Sequence, residues 1–421
     1  MNPKCHIIGV LEGEPLFGEV AQIIGRAALV VGGTRLLSAI RISPGAQTFD
    51  LTGRFGEVTR LIKEALAAQN EVVVLATGDP MCHGIGGYLT SRLDPGTWQI
   101  WPQVSMVQIA AARFGLAWQG YFIYSVHGPD TGEWDAHSGP EHGLYPLLKA
   151  LHQKDQLALY CSPANDPARI ARMLITAGLE QDFEFKVASN IGGGNEWLHQ
   201  GISTLEAAKA QFAEPNVAFL TRQSPRAQRT ILARPDEAYY QRKPESGLIT
   251  KREHRAVALG LLGLKRDSVV WDLGAGSGSV GIEAAGLCPE GLVFAIEKNE
   301  ADFANVLSNK ARFLAYNHFP FLGKAPELLV HWPNPDAVFI GGSGGALADL
   351  IRLSLKRLNP KGRLVIALIS LENQSLAIET LCQLGQDWQL TQLQVSRSQP
   401  ILDMHRLAPI PPISLLWTEV T

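Results

Sequence analysis

The sequence contains few cysteines, and their spacing limits the chemistry that they can support. Its five cysteines, at positions 5, 82, 161, 288 and 382, are odd in number and widely separated, and no Cys-x-x-Cys pair occurs. This pattern argues against a disulfide framework and against a zinc site, which needs three or four protein ligands. We therefore expect reduced cysteines, a cytoplasmic location and no bound metal.

The net charge is also small, and long hydrophobic runs are lacking. The formal charge is -3 over 421 residues, which argues against a general nucleic-acid binder. The longest apolar runs, such as LVIALISL at 364–371, are far shorter than the roughly 20 residues of a membrane helix. The N-terminus passes directly into a strand pattern, so no signal peptide is expected. We expect neither a nucleic-acid nor a membrane partner.

Short β-branched runs alternate with helical stretches along the chain, which predicts an α/β fold. A chain of 421 residues is too long for a typical single core. We predict a first domain over 1–222, a polar linker over 223–246 and a second domain over 247–421. The predicted strands are 6–10, 28–33, 71–80, 156–162, 185–194 and 216–222 in the first domain, and 268–276, 292–299, 336–345, 362–370, 391–399 and 413–420 in the second.

A strand, a glycine loop and a helix follow one another in VVWDLGAGSGSVGIEAA, at 269–285. Glycines at this turn let a ligand approach the backbone, and the helix N-terminus then faces the ligand. Gly274, Gly276 and Gly278 give the spacing G-x-G-x-G, whereas a dinucleotide fingerprint needs G-x-G-x-x-G. The spacing favours a methyltransferase over a dehydrogenase.

Two carboxylates accompany this loop. Asp272 precedes the first glycine, where its charge would repel a pyrophosphate but suit the cationic S-adenosyl-L-methionine. Glu297 ends the next predicted strand, where a carboxylate can accept hydrogen bonds from both ribose hydroxyls. We therefore predict that S-adenosyl-L-methionine is the cofactor.

The predicted strand at 336–345 ends in the glycine-rich sequence IGGSGG. It lacks the (N/D)PP(Y/F) segment that is common in enzymes methylating the amino groups of bases. Gly341, Gly342, Gly344 and Gly345 leave a wide floor without side chains, which suits a large flat substrate. A flexible loop remains the alternative interpretation.

At this point both halves resemble known families. The segments 247–264, 272–285, 295–299, 336–345 and 358–373 resemble the CbiT family, class I methyltransferases of cobalamin biosynthesis. The segments 30–37, 72–87, 104–118, 125–128 and 216–220 resemble CbiE, of the tetrapyrrole methylase family. The resemblance implies two α/β subdomains in the first half and a Rossmann-like fold in the second.

The resemblance also implies two active sites, each with its own S-adenosyl-L-methionine. The first half would methylate carbon 5 of a precorrin. The second would methylate carbon 15 and remove carbon dioxide from the ring C acetate. The macrocycle itself can accept the electrons of decarboxylation, so no covalent catalyst is expected. The family also implies a homo-oligomer.

Site residues follow from the matched motifs. In the first half the resemblance implies substrate binding by His127 and donor binding by Gly9, Gly78, Asp79, Pro80 and Ser105. In the second it implies that the backbone of Ala325 holds the adenine edge. The chain has GKAPE at 323–327 where the family usually has GDAPE, which places Lys324 at an acidic position.

A precorrin carries many carboxylates, so basic side chains should anchor it. The segment TKREHR at 250–255 supplies Thr250, Arg252 and Arg255 as candidates, and a solvated helix start is the alternative. Thr250 and Glu253 have the spacing of a capping box. The segment 396–409, which includes Arg397, either covers the macrocycle or forms a plain hairpin.

Two other functions remain open from the residues alone. One is a small-molecule or RNA methyltransferase with an unrelated first domain. The other is a regulatory protein that senses S-adenosyl-L-methionine and whose first site has decayed.

Overall fold

A computed structural model describes residues 4–12, 14–135, 138–191, 195–223, 230–242 and 249–421. The chain forms two compact units, Met1–Arg226 and Ala227–Thr421. Within the described ranges, no helix has the length and apolar character that crossing a membrane requires. The predicted α/β class is confirmed, since each unit is built from sheets flanked by helices.

The first unit begins with a parallel sheet in the order β3-β2-β4-β1-β5. Its central strands are buried along nearly their whole length, as expected for parallel strands covered by helices on both faces. Its strands are β1 (Cys5–Val10), β2 (Leu29–Gly32), β3 (Gln47–Asp50), β4 (Val72–Thr77) and β5 (Trp98–Trp101). Its helices are α1 (Gly18–Arg26), α2 (Thr34–Ala39), α3 (Val58–Ala67), α4 (Ile85–Thr90) and α5 (Met106–Phe114).

A second, mixed sheet completes this unit, in the order β6-β7-β10-β8-β9. Only the β6–β7 pair is parallel, and the other pairs are antiparallel. Its strands are β6 (Phe122–Ser125), β7 (Gln156–Tyr160), β8 (Phe183–Ser189), β9 (Trp197–Ile202) and β10 (Asn216–Arg222). Its helices are α6 (Tyr145–Gln153), α7 (Pro167–Thr176) and α8 (Thr204–Ala207). The unit therefore consists of two α/β subdomains, each built on one sheet.

The second unit has a seven-stranded sheet in the order β13-β12-β11-β14-β15-β19-β16, in which β19 runs antiparallel to its neighbours. Its sheet strands are β11 (Val269–Leu273), β12 (Leu292–Glu297), β13 (His318–Leu322), β14 (Ala337–Ile340), β15 (Arg363–Leu368), β16 (Gln389–Leu393) and β19 (Ile413–Glu419). A separate hairpin consists of β17 (Ser396–Ile401) and β18 (Met404–Pro409). Its helices are α9 (Arg252–Leu261), α10 (Ser279–Leu287), α11 (Glu300–Phe313), α12 (Leu347–Arg357) and α13 (Leu371–Gln383).

The strand order of the second unit brings two glycine-rich loops to the same edge of the sheet. The order reverses between β11 and β14, and ligands of open α/β sheets bind beyond the carboxyl ends of strands at such a point. The glycine loop follows β11, and the segment IGGSGG follows β14, so both reach the same edge of the sheet.

The predicted strand 391–399 and the predicted linker differ from the structure. The predicted strand 391–399 is broken, because β16 ends at Leu393 and the chain then leaves the sheet to form the β17–β18 hairpin. The middle of the predicted linker, 230–242, packs into the second unit. There Arg234, Asp236 and Tyr239 are buried, and the backbone amides of Ala233 and Arg234 donate to the Glu283 carboxylate. The linker's remaining parts, 224–229 and 243–246, lie outside the described residues.

Candidate functional site

The glycine loop after β11 is packed against the loop after β14. Gly274 has φ +75°, and a Cβ placed on it would lie 2.3 Å from the carbonyl oxygen of Gly342. Any larger side chain would therefore separate the two loops. Gly278 has φ +75° and precedes the first residue of α10, so the chain turns sharply into that helix. The glycines predicted from sequence thus have a geometric reason to be glycine.

Glu297 is held at the carboxyl end of β12 by backbone amides. Its Oε2 accepts from Gly276 N at 2.8 Å, and its Oε1 accepts from Asn299 N at 2.9 Å. Each carboxylate oxygen accepts further hydrogen bonds. The side chain lies beside the cavity described below, so its remaining acceptor positions are available for a ligand's hydroxyl groups.

Asp272 lies beneath the loop. It is 1% exposed, its Oδ2 accepts from Gly281 N at 2.9 Å, and its Oδ1 has no partner among the described residues. Full burial, with a smaller contribution from the charge of Glu297, raises the pKa of this carboxyl to about 7. The predicted charge–charge contact of Asp272 with a bound donor is therefore not direct in this structure, and its visible role is to hold the first turn of α10.

A cavity of about 630 Å³ opens above these loops. It is lined by residues at the ends of several strands, at the start of α9 and just before β19. The predicted site residues that line it are Thr250, Gly274, Gly276, Glu297, Ala325, Gly341, Gly342 and Gly344. Asp272, Gly278, Arg252, Arg255 and Gly345 are not among the described residues of its wall. The structure thus brings together most of the predicted donor site and the glycine floor.

Three lysines add positive charge to the cavity. Lys251, Lys298 and Lys324 all line it. The Nζ atom of Lys298 lies 3.3 Å from the position that a Cβ on Gly344 would occupy, so this ammonium group stands over the glycine floor. Sequence reasoning had noted Lys324 only as a departure from a motif, and it had given Lys298 no role, although Lys298 directly follows Glu297.

Arg255 is not available to a substrate, which corrects its prediction as a carboxylate anchor. It is 0% exposed, and its Nε donates to Glu283 Oε1 at 2.8 Å. Its guanidinium also donates to the carbonyl oxygens of Thr250, at 2.6 Å, and Arg234, at 2.5 Å. Arg255 lies near the N-terminus of α9, and the Glu283 carboxylate of the protein itself balances its charge.

The other predictions for this segment also change. Helix α9 begins at Arg252 with Lys251 as its N-cap and no side-chain cap, so the predicted capping box is wrong. Glu253 instead pairs bidentately with Arg397 of β17, which holds the pKa of Glu253 down to about 2. Arg252 is half-exposed and pairs with Glu253. The segment 396–409 forms a hairpin that Arg397 ties to α9.

In the first unit, the loops after β1 and β4 meet closely. A Cβ placed on Gly9 would lie 2.3 Å from the carbonyl oxygen of Gly78 and 2.8 Å from Cβ of Gln103. Gly78 has φ +66° and donates its N–H to Val10 O at 2.9 Å. The carboxyl ends of the neighbouring strands β1, β4 and β5 thus converge, as in other open α/β sheets that bind ligands.

The other predicted donor-binding residues of this unit make hydrogen bonds that shape its loops and helix starts. Asp79 Oδ1 accepts from Met81 N at 2.9 Å, and Pro80 O accepts from Gly86 N at 2.9 Å, so both shape the turn into α4. Ser105 is buried and caps α5, where its Oγ accepts from Gln108 N at 3.2 Å. Its hydroxyl is thus already engaged within the protein.

His127 lines a cavity of about 590 Å³, whose wall includes residues of both subdomains of the first unit, among them Thr77, Cys161 and Asn216. The Oγ of Ser125 lies 3.0 Å from Nδ1 of His127 and orients its ring. A further cavity of about 690 Å³ is lined by Leu11, Gln103 and other residues near β1 and β5. The first unit therefore offers space for a large ligand next to the converging loops.

Sequence reasoning missed several residues that line the 630 Å³ cavity. Arg242, Asp302, Ile369 and 411–413 come from distant parts of the chain, and no local motif marks them. The Arg242 guanidinium pairs with Asp302 beside the cavity. His254 belongs to the basic segment 250–255, but only the fold shows that this residue lines the cavity.

Comparison with known proteins matches each unit to a family. Residues 242–420 match the model described as precorrin methyltransferase domain, and residues 18–204 match the tetrapyrrole (corrin/porphyrin) methylases. A curated relative from Sinorhizobium, named precorrin-6Y C(5,15)-methyltransferase [decarboxylating], is 28% identical over 100% of this chain and 97% of its own length.

Relatives of the second unit are more similar. The cobalt-precorrin-6B C(15)-methyltransferase (decarboxylating) of Salmonella typhimurium is 40% identical over 40% of this chain and 87% of its own length. A solved structure titled precorrin-6y C5,15-methyltransferase, from Geobacter metallireducens, is 34% identical with a TM-score of 0.44, and covers 45% of this chain and 100% of that one. From the two family matches and the identities to the two curated relatives, the chain is a methyltransferase and belongs to the precorrin methyltransferases.

Proposed function

We propose that this chain uses S-adenosyl-L-methionine to methylate a precorrin at carbons 5 and 15 and to decarboxylate its ring C acetate, in cobalamin biosynthesis. The first unit would act at carbon 5, and the second at carbon 15 and the acetate. The observation that carries this proposal is the pairing, in one chain, of two separate glycine-lined strand ends, one at Gly9 and Gly78 and the other at Gly274 and Gly342.

The second unit fits the methyl donor. Glu297 has both carboxylate oxygens fixed by backbone amides, and Gly274 and Gly276 leave the loop free of side chains beside it. Ala325 borders the same cavity, where its backbone would meet the adenine edge. When bound, S-adenosyl-L-methionine supplies an electrophilic methyl group. The protein mainly aligns the reacting carbon with that group and excludes water.

The rest of the cavity fits a flat polycarboxylate. Gly341, Gly342 and Gly344 form a surface without side chains, and Lys251, Lys298 and Lys324 supply cations to its carboxylates. Thr250 adds a hydroxyl at the same wall, and Arg252 lies one residue beyond the lining. In the first unit, His127 lines the 590 Å³ cavity, where it would contact the substrate.

Two further properties belong to the proposal. We infer a homo-oligomer in the cytoplasm. The hairpin β17–β18 supports assembly, because Leu402, Met404 and Leu407 are strongly exposed on it. Light scattering of the purified chain at several concentrations measures its state, and a monomer at all of them contradicts the inference.

The experiment that tests the function incubates the purified chain with S-adenosyl-L-methionine and reduced precorrin-6 and reads the product by mass spectrometry. Gain of two methyl groups and loss of one carbon dioxide is expected. Gain of only one methyl group, together with loss of carbon dioxide, would contradict the carbon 5 activity proposed for the first unit. An unchanged substrate with bound donor would overturn the proposal and favour a regulatory role.

A further inference from the structure

His254 is a titratable residue of the 630 Å³ cavity to which the proposed function gives no role. It stands in the first turn of α9 and is 3% exposed, yet it borders the 630 Å³ cavity. Its Nε2 has no hydrogen-bond partner among the described residues. Buried polar atoms are nearly always paired, so an unpaired ring nitrogen in a residue that lines a cavity is a candidate for contact with a ligand bound there.

The cavity wall places this imidazole with the proposed substrate groups. Thr250 and Lys251 precede it on the same wall, and Gly341 and Gly342 of the glycine floor line the same space. Among the titratable side chains of this cavity, a histidine is the one suited to exchange a proton near neutral pH.

Decarboxylation of an acetate consumes one proton. The bond between the methylene carbon and the carboxylate breaks, and its electron pair enters the conjugated macrocycle as carbon dioxide leaves. That electron pair then forms a carbon–hydrogen bond at the former methylene carbon, which becomes a methyl group. The proton has to come from an acid within the cavity or from solvent.

We propose that His254 delivers this proton to the methylene carbon as carbon dioxide is lost. The inference rests on the decarboxylating function proposed above. The imidazolium gives up its proton, is left neutral, and regains a proton from solvent after the product leaves. Its role is separate from methyl transfer, which needs no acid.

The surrounding charges set when the imidazole is protonated. Burial is the largest influence and lowers the pKa of His254 below its ordinary value, and Arg397 and Lys251 lower it further, whereas Glu253 and Asp236 raise it. A bound polycarboxylate adds negative charge and raises this pKa. The imidazolium is therefore scarce in the free protein near neutral pH and becomes more abundant once substrate binds.

His254→Gln in the full chain tests the proposal, since glutamine fills similar space but delivers no proton. With S-adenosyl-L-methionine and reduced precorrin-6, we expect carbon dioxide release to fall at least about 100-fold, the lower end of the range for a general acid. Donor binding and methyl transfer to carbon 5 should be unchanged. His331→Gln, at an exposed histidine of the same unit, is the matched control.

The pH profile separates proton delivery from a structural role. A proton donor acts only when charged, so carbon dioxide release by the wild type falls as pH rises through the pKa of the group. The fall should come at lower pH in kcat/KM, which reports the free protein, than in kcat, which reports the complex. His254→Gln should lose this dependence, and added imidazole should partly restore carbon dioxide release to His254→Ala.

Three outcomes overturn the proposal. These are wild-type decarboxylation by His254→Gln, an unchanged pH profile in that variant, and a loss of decarboxylation that only follows weakened donor binding. A wild-type protein that neither methylates nor decarboxylates the substrate overturns instead the function on which the proposal rests.

Discussion

Replacing Arg255 by methionine should destabilise the second unit. Its guanidinium is fully buried, pairs with Glu283 and donates to the carbonyl oxygens of Thr250 and Arg234. Methionine keeps much of the volume but leaves the Glu283 charge without its main partner. Breaking a buried ion pair in this way costs about 3–5 kcal/mol of unfolding free energy. At roughly 2–4 °C per kcal/mol for a unit of this size, the Tm should fall by about 6–20 °C.

Differential scanning calorimetry of the full chain measures this change, and Arg252→Met is the matched control. Arg252 is half-exposed in its pair with Glu253, so its loss should cost less than about 1 kcal/mol. Donor affinity, measured below the Tm, should change little for either variant. The reasoning is refuted if Arg255→Met keeps the wild-type Tm but raises KM for the precorrin, since that result assigns Arg255 to the substrate.

Three other changes test the remaining geometry. Gly9→Ala places a Cβ against Gly78 O, so it should abolish methylation at carbon 5 and spare carbon 15; product mass shows this, and equal loss at both carbons contradicts it. Gly274→Ala combines φ +75° with a clash against Gly342, so it should abolish carbon 15 methylation and donor binding by the second unit, measured by calorimetric titration, while carbon 5 is still methylated. Asp272→Asn should stabilise the protein at pH 7.5 but not at pH 4.5. Asp272 keeps its proton up to about pH 7 when folded and loses it near pH 4 when unfolded, so wild-type stability falls over that interval by up to about 4 kcal/mol. Urea unfolding at the two pH values checks this, and equal effects at both would contradict it.

The sequence predicted the parts of the fold and site that depend on local pattern. β10 was predicted with the bounds that the structure has, and the strand, glycine loop and helix around Gly274 follow one another as expected. Glycines with positive φ and a carboxylate at a strand end are readable because one short segment fixes both the backbone and the residue type. The edge strand β13 was missed, since its pairing depends on neighbours elsewhere in the chain. The hairpin at 396–409 was one of two interpretations that the sequence left open.

Asp272 shows why the sequence alone did not tell which of the two acids lines the cavity. The sequence indicates an acidic residue beside the loop, but it does not indicate that Gly281 N would bond its Oδ2 and that the strand end would be covered. A Cβ on Gly281 would lie within 3 Å of both His318 Nε2 and Asp272 Oδ2, so the helix packs closely over this carboxylate. Tertiary packing thus separates two acids that look equivalent in sequence, leaving Glu297 at the cavity and Asp272 beneath it.

His254 and Arg255 show the same limit within one turn of helix. Both are basic, adjacent and almost completely buried, and Arg255, like Thr250 and Arg252, was a sequence-based candidate for binding the substrate. Successive residues of an α-helix point about 100° apart, so one can meet the buried Glu283 while the next borders the cavity. Arg255 is satisfied because Glu283 comes from α10, whereas Nε2 of His254 has no hydrogen-bond partner in the described part of the chain. Which of two adjacent basic residues is free to act is therefore decided by where the next helix places its carboxylate, and not by the motif that contains them.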